Sequence, residues 1–388
     1  MSRYYSYLNT AKEVVSNYKG EIPLAIWLKQ FFATRKQMGS RDRREVASMV
    51  YQYYRLGKSV EGSFETKMMS ALFLCRTEPS ELLQLLKPEW NEQISLPLSE
   101  KIKLIANLLS PELIFPFTDY IQEGMDKEAF NLSHLTQPDL FIRIRPSYQK
   151  QVKNKLETNG ISFTEITDNC LSISNTTSID TILNIDKEAV IQDYASQLVG
   201  DLLTPLLNNK NTLKIWDCCA ASGGKSIMAT DILGNINLTA SDVRSSIIQN
   251  LRKRLERAAI TRYQSFVADI SLPAPQLKGH LFDLIICDAP CTGSGTWGRT
   301  PENLIHFKQE TIQQFSTLQQ KIVSNTIPQL AQEGYFLYIT CSVFDAENDT
   351  VVSFIQQQFP ELKLQTKSLL IGYKKRADTM YAALFKKE

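Results

Sequence analysis

Apolar residues recur at three-to-four spacing through the first ~130 positions, and the pattern predicts helices over residues 7–18, 24–33, 41–54, 65–75, 80–86 and 99–109. The third of these shows it plainly, with Val46, Val50 and Tyr53/Tyr54 on one side. Pro23, Gly39, Gly57, Pro79, Pro88 and Pro97 fall between the helices as breaks. From Pro138 the texture changes. Residues 140–144, 162–166 and 170–173 read as strands around an amphipathic stretch, 148–158, closed by Asn159-Gly160. That β-α-β-β pattern fits a small α+β subdomain, and 186–192 reads as a linker after it. Strands then alternate with helices. Residues 213–217, 237–241, 266–268, 284–287 and 335–339 are the expected strands. Residues 226–232, 244–259, 309–332 (kinked at Pro328) and 346–358 are the expected helices. Late strands at 362–365 and 380–385 are expected to form an antiparallel hairpin at the sheet edge. The whole predicts a helical domain over 1–130, a small α+β subdomain over 131–190, and a doubly wound, parallel-rich α/β domain over 191–388.

The chemically densest stretch is 282–300, FDLIICDAPCTGSGTWGRT. Its apolar run, Leu284-Ile285-Ile286-Cys287, breaks at Asp288-Ala289-Pro290-Cys291 into a glycine-rich loop. A carboxylate, a proline and a thiol therefore sit just past the carboxyl end of a strand, where open α/β sheets bind ligands. The next strand ends in Thr340-Cys341-Ser342, at the same edge. Thiols at these two positions are candidate nucleophiles. Cys218, Cys219 and Cys287 lie in or at the ends of apolar strands and read as core.

The first loop of this half, Cys219-Ala220-Ala221-Ser222-Gly223-Gly224-Lys225, offers glycines for close ligand approach and a helix start with free N–H groups. Asp242 lies 18 residues beyond Gly224 at the next strand end, a spacing that suits ribose hydroxyls. Asp269 ends the strand after that, where an adenine amino group could be met. Such a series points to an adenosine-bearing cofactor, although neither G-x-G-x-x-G nor G-x-x-x-x-G-K-[ST] is present. A thiol beside such a cofactor suits pyrimidine C5 chemistry. Thiolate addition to C6 makes C5 enamine-like and able to attack an electrophilic methyl, and a carboxyl group at N3 stabilises the adduct. Asp288 is placed for that role. Methylation of an exocyclic amine would not need the thiol, and its [DN]-P-P-[FYW] loop is replaced here by DAPC.

Composition narrows the setting. With 388 residues, 43% hydrophobic and 22% charged, the chain reads as an ordinary globular protein of two or three domains. No apolar run approaches the roughly 18–20 residues needed to span a bilayer, and MSRYYSYLNT lacks a secretory h-region. Seven cysteines without framework spacing imply reduced thiols and a cytoplasmic location. Three histidines, none ligand-spaced with a cysteine, argue against a metal site. Net charge is +2, yet residues 1–58 carry eleven Lys/Arg against four acids. Arg244, Arg252-Lys253-Arg254 and Arg257 cluster on one predicted helix, and Arg143 and Arg145 stand at a strand end. Solvated faces and nucleic-acid contact both explain such clusters, the latter through counterion release.

The segments WDCCAASGGKS, ASDVR, VADI, DAPCTGSGTWGRTPE and YITCSVFDAENDTVV resemble, in order, the motif set of the RsmB/Nop/Sun RNA 5-methylcytosine methyltransferases. The resemblance covers residues 193–388, with the lead-in Gln192–Gln197, and implies a Rossmann-like class I methyltransferase domain. It implies Cys341 as the nucleophile on C6 and Cys291 as the group assisting adduct breakdown. Asp288 and Pro290 would hold the cytosine and the donor end. Cys219 to Lys225, Asp242 with Arg244, and Asp269 would bind S-adenosylmethionine. Lys225 is the family's loop lysine, and Arg299, Glu347 and Asn348 match positions around the active-site loops. Ser222 replaces the family's usual proline, and Thr296-Trp297-Gly298 replaces a more charged stretch. Residues 39–55 resemble the family's NusB-like RNA-binding domain, and the α+β piece its small RNA-facing subdomain. The implied substrate is ribosomal (16S) RNA, met as an unstacked cytosine by a monomer. A tRNA substrate, a non-catalytic ribosome-assembly factor, and DNA cytosine methylation are the alternatives. DNA enzymes of this chemistry take their nucleophile from the Pro-Cys position and lack the TCS cysteine.

Overall fold

The computed structural model describes residues 3–207, 211–234 and 236–388, in two units. The first comprises the chain up to Gln137 together with Thr296–Gln309. Its helices are Arg3–Asn17, Leu24–Ala33, Ser40–Arg55, Phe64–Cys75, Glu81–Leu86, Pro88–Asn91, Leu98–Leu104, Lys127–Ser133 and Asn303–His306. The apolar stripe of Ser40–Arg55 (Val46, Met49, Val50, Tyr54) faces a core shared with Leu8, Leu28 and Leu72. The helix expected to reach residue 109 stops at Leu104 instead. Beyond it Leu109 bridges to Val60 and the Ser110 N–H donates to the Ser59 carbonyl, a tertiary pairing that overrides the local helical pattern. Arg55 is buried, and its guanidinium donates to the carbonyls of His134 and Thr136 and to the Gln137 side chain. The segment 296–309 enters this unit through Trp297. That ring is fully buried and packs on Phe115, Phe117 and Phe307 at centroid distances of 5.3, 5.7 and 4.7 Å.

The second unit begins with a four-stranded antiparallel sheet. Its strands are β1 (Leu140–Ile144), β2 (Phe163–Thr167), β3 (Cys170–Ile173) and β4 (Ala189–Ile191), in the order β2-β3-β1-β4. The expected linker at 186–192 thus contains a strand: β4 pairs with β1 from Ile142↔Ile191 to Ile144↔Ala189. Its apolar Ala189 and Val190 are wholly buried, which so short a run does not announce. Just before it Asp186, at φ 71° and fully buried, accepts from Arg254 and Arg257 at 2.7 Å each. Asp231 likewise accepts from Arg143 and Arg145 at 2.7 Å. Arg143, Arg145 and Arg254 are therefore largely enclosed partners of buried carboxylates, whereas Arg257 pairs with Asp186 and stays more than half exposed. Arg244 is committed too, to Asp242.

The larger sheet holds β5 (Leu213–Asp217), β6 (Ile236–Asp242), β7 (Tyr263–Val267), β8 (Phe282–Asp288), β9 (Leu330–Thr340), β10 (Leu362–Leu370) and β11 (Met380–Lys387), ordered β10-β11-β9-β8-β5-β6-β7. Pairs from β7 to β9 are parallel, and β11 runs antiparallel between β9 and β10. This is the expected Rossmann-like α/β fold with its antiparallel hairpin. The expected kink at Pro328 is a stop: the helix Glu310–Thr326 ends, a single turn follows at Ile327–Gln329, and β9 begins at Leu330. Proline supplies no N–H and clashes with the preceding turn, so the chain leaves the helix there. One layer of core between sheet and helices is built on Ile215, Ile227, Leu251 and Leu284, the other on Trp216, Ile285, Ile322, Phe336 and Val351.

Removing one member of a buried ion pair strands the other, at a cost of about 3–5 kcal/mol. Asp186→Ala should therefore lower the urea midpoint of the protein markedly, while Glu61→Ala, at an exposed position, leaves it unchanged. Equal midpoints for the two variants would show that the Asp186 pairs contribute no net stability.

Candidate active site

The strand order reverses between β5 and β8, so the loops leaving these two neighbours diverge and open a crevice at the carboxyl edge. The β5 loop is fixed from below. Trp216 Nε1 donates to Ser241 Oγ at 3.0 Å, Ser241 Oγ donates to the Cys218 carbonyl at 2.9 Å, and the Ala220 N–H donates to the Ser241 carbonyl at 2.9 Å. The loop then turns through two left-handed residues, Ala221 (φ 43°) and Gly223 (φ 86°). A side chain at Gly223 would also press on Leu251, whose Cγ lies 3.3 Å from the Cβ position. Ser222, standing where proline was expected, accepts from Arg254 through its carbonyl (3.0 Å) and its hydroxyl (2.8 Å), so that side-chain bond stiffens the turn.

Several features of this loop suit a cofactor. A Cβ at Gly224 would meet nothing within 4 Å, leaving an open cradle, and Ala221 is exposed. Asp242 accepts from the Ala221 N–H at 3.1 Å and from the Arg244 N–H and Nε at 3.0 Å each. Burial works against its charge, but the Arg244 bonds outweigh it and hold the carboxyl below its usual range. Asp269 is exposed and caps Ser271. An uncharged turn flanked by two acids fits the adenosine end of the expected cofactor.

At the centre, Lys225 Nζ lies 3.0 Å from Asp288 Oδ2 and 2.8 Å from Ser196 Oγ. Burial disfavours the Lys225 charge, but Asp288 and Cys341 more than offset it and raise its pKa. Below, Asp217 closes β5 fully buried, accepting from Ser226 Oγ at 2.6 Å on one oxygen while the other has no partner among the described residues. Burial pushes its carboxyl up to about 7.

Cys291 and Cys341 leave adjacent strands and meet: the Cys341 N–H points at Cys291 Sγ from 3.3 Å. The Cys341 thiol is pushed well above its ordinary value, first by its hydrogen bond to Cys291, then by burial and by Asp288, with Lys225 acting in the opposite direction. Gly295 lets the loops close. Its N–H donates to the Cys341 carbonyl and its carbonyl accepts from the Thr379 N–H, both at 2.9 Å, and a Cβ there would lie 1.9 Å from the Thr379 oxygen. Under both loops sits Glu347, fully buried. It accepts from the Thr292 N–H (2.8 Å), Thr292 Oγ1 (2.5 Å), Ser342 Oγ (2.6 Å) and Gln319 Nε2 (3.0 Å). Asn348 binds the Thr340 hydroxyl at 2.6 Å and the Ser342 carbonyl at 3.0 Å.

The structure thus gathers Lys225, Asp288, Cys291 and Cys341. The residues of the 219–225 loop, Asp242 and Asp269 lie along the same sheet edge, and Pro290 is exposed beside them. Cys218 and Cys287 are fully buried, and their sulfurs and that of Cys219 all lie within 4.8 Å of one another. Arg299 falls in the segment that packs with the helical unit. Reading the sequence by residue chemistry passed over Ser196, Asp217, Thr292 and Gln319. Asp217 carried a signal, an acid closing an apolar strand before the glycine turn; the hydroxyls and the amide carried none.

Residues 204–382 match the family described as 16S rRNA methyltransferase RsmB/F. The ribosomal RNA small subunit methyltransferase B of Xylella fastidiosa is 31% identical over 163 residues, 42% of this chain and 38% of that protein. The chain therefore spans well under half the length of this curated relative. Among solved structures, PH0851 overlays with a TM-score of 0.70 at 19% identity, covering 100% of this chain and 99% of its own. NSun6 from Pyrococcus horikoshii, crystallised with SFG, gives 0.57 at 13% identity over 70% of this chain and 97% of its own. At such identities these two likenesses speak to the fold. The sequence match lies over the domain that carries the glycine turn, the β8 acid and both loop cysteines, and that domain is similar to the RsmB/F methyltransferases.

Proposed function

We propose that the chain is an S-adenosylmethionine-dependent RNA cytosine-C5 methyltransferase acting on ribosomal RNA. The observation that carries this is the meeting of two thiols from adjacent strand ends, 3.3 Å from the Cys341 N–H to Cys291 Sγ, beside the Lys225–Asp288 pair. Methyl transfer to oxygen or to an amine has no use for such a pair. S-Adenosylmethionine, when bound, supplies an electrophilic methyl. The residues around it do the rest. Cys341 loses its proton and its sulfur bonds to C6 of cytosine. The C5–C6 π electrons become available at C5, which takes the methyl while the donor sulfur keeps the electron pair of the broken S–CH3 bond, and the proton left on C5 then passes to Cys291. Cys341 departs as the C5–C6 double bond re-forms. Asp288 sits at N3 and shares a proton with the ring nitrogen while the adduct exists, and Lys225 holds Asp288 in place. Cys291, in contact with Cys341, assists the final elimination.

Incubating the protein with S-adenosylmethionine and unmodified rRNA or tRNA fractions, followed by nucleoside analysis, tests the reading. 5-Methylcytidine in the rRNA fraction is expected. Its appearance in tRNA alone would move the substrate, and its absence from both while cofactor binds would favour the assembly-factor alternative. Cys341→Ala should abolish both turnover and covalent RNA adducts. Cys291→Ala should instead accumulate an adduct that survives denaturing electrophoresis; turnover without such a band would make Cys291 structural.

The raised Cys341 thiol also sets a pH dependence. Only the thiolate adds to C6, so single-turnover adduct formation should still be climbing above the ordinary thiol pKa of about 8.5. A rate already flat from neutral pH upward would mean that Cys341 is ionised in the resting enzyme.

A further inference from the structure

Both catalytic loops hang from one side chain that takes no part in the chemistry just described. Glu347 is fully buried in a 3-10 turn after β9, and among the described residues no cation pairs with it. Burial pushes its carboxyl up, against the pull of Ser342, Thr292 and Gln319. Its two oxygens have different surroundings. Oε2 faces donors that cannot reverse: the Thr292 N–H at 2.8 Å, and Gln319 Nε2 at 3.0 Å, whose amide is oriented by a second bond to the Pro290 carbonyl at 3.0 Å. Oε1 faces two hydroxyls, Thr292 Oγ1 at 2.5 Å and Ser342 Oγ at 2.6 Å, either of which can donate or accept. Thr292 follows Cys291 and Ser342 follows Cys341, so each oxygen holds the residue next to a reacting thiol. Pro290, on the other side of Cys291, is held through Gln319. The turn carrying Glu347 is itself fixed. Tyr338 donates to the Glu347 carbonyl at 2.7 Å, and Ser316 donates to the Ala346 carbonyl at 2.6 Å.

Resting on the functional reading above, we infer that Glu347 is the positioning residue that sets Cys291 and Cys341 against each other, and that it does so through hydrogen-bond geometry rather than charge. The asymmetry of its two oxygens makes this specific. A glutamine can place its carbonyl at Oε2 and its NH2 at Oε1, where both hydroxyls turn to accept. Glutamine therefore preserves the clamp with no charge, whereas alanine removes all four bonds and leaves two N–H donors buried without partners. A displacement of about 1 Å at reacting groups costs on the order of 100-fold in rate.

The test uses full-length wild type, Glu347→Ala and Glu347→Gln. The rates of iodoacetamide alkylation at Cys291 and Cys341 are read separately by mass spectrometry without RNA or cofactor. S-Adenosylmethionine affinity and methyl transfer are then measured on the same preparations. Glu347→Ala should change both alkylation rates at least about fivefold, since thiol reactivity follows local environment. It should lower kcat by about 100-fold with KM and cofactor affinity nearly unchanged. Glu347→Gln should restore wild-type alkylation and most of kcat. Wild-type alkylation in a folded, cofactor-binding Glu347→Ala protein would overturn the inference, and so would a Gln variant as impaired as the Ala variant. Should Glu347→Ala fail to fold, Thr292→Val and Ser342→Ala each remove one hydroxyl from the clamp and should shift alkylation in the same direction; no shift in either overturns it. Because alkylation needs no RNA, a wild type that makes no 5-methylcytidine sinks the functional reading and leaves this inference to its own result.

Discussion

Everything at this site depends on the register of two adjacent parallel strands. β8 and β9 pair with Asp288 opposite Ile339, and the Ala289 N–H donates to the Ile339 carbonyl at 2.8 Å just as the strands end. Both chains therefore leave the sheet at one edge and one height, and Cys291 and Cys341 emerge side by side. A slip of one residue would move one thiol by about 3.3 Å along the strand and turn alternate side chains to the opposite face. The register is enforced from both faces, because Leu284 and Ile286 pack into one core layer and Ile285 and Cys287 into the other. The geometry of the thiols is thus a consequence of core packing, and the loops need only preserve what the ladder delivers.

Buried carboxylates do much of that preserving. Asp186 gathers Arg254 and Arg257, Asp231 gathers Arg143 and Arg145, and Glu188 gathers Lys155, Gln151 and Asn184. Each ties segments far apart in sequence, and Arg254 continues to Ser222 in the β5 loop. Such pairs add little net stability over apolar packing, but their geometry is demanding and tolerates few alternatives. In this protein that demand falls on the wall behind the β5 loop, which must hold a left-handed turn open.

How far the sequence could be read follows from this division. Elements whose apolar period is long and regular, such as the helix Ser40–Arg55 or strands β5 and β8, were legible because burial of one face dictates the pattern. The candidate thiols and acid were legible because the carboxyl ends of parallel strands are where ligand sites collect. What depended on a distant partner was not. Within the basic run Arg252-Lys253-Arg254, nothing local tells that Arg254 turns inward to an acid 68 residues away while Arg252 and Lys253 stay exposed. β4 was lost in an apparent linker because three residues carry no usable period. Trp297 read as an odd residue in an active-site loop, whereas its ring lies in the aromatic core of the helical unit.

The electrostatics of the enclosure give the arrangement its chemical logic. On the proposed reading Cys341 must ionise, yet its bond to Cys291, burial and the nearby Asp288 all favour the protonated thiol. Lys225 is the counterweight: it is enclosed and bound to Asp288, and it favours the thiolate. Asp217, the other acid beneath it, has its own carboxyl pushed up to about 7, so it adds less negative charge than an exposed aspartate would. One buried cation therefore faces one committed acid, one acid whose charge is weakened by burial, and one thiol. Moving Lys225 outward by a few ångströms would leave Asp288 and a Cys341 thiolate repelling each other in a poorly solvated space, where such repulsion is large. The bond from Lys225 to Ser196, contributed by the short helix that precedes β5, keeps that cation where both groups need it.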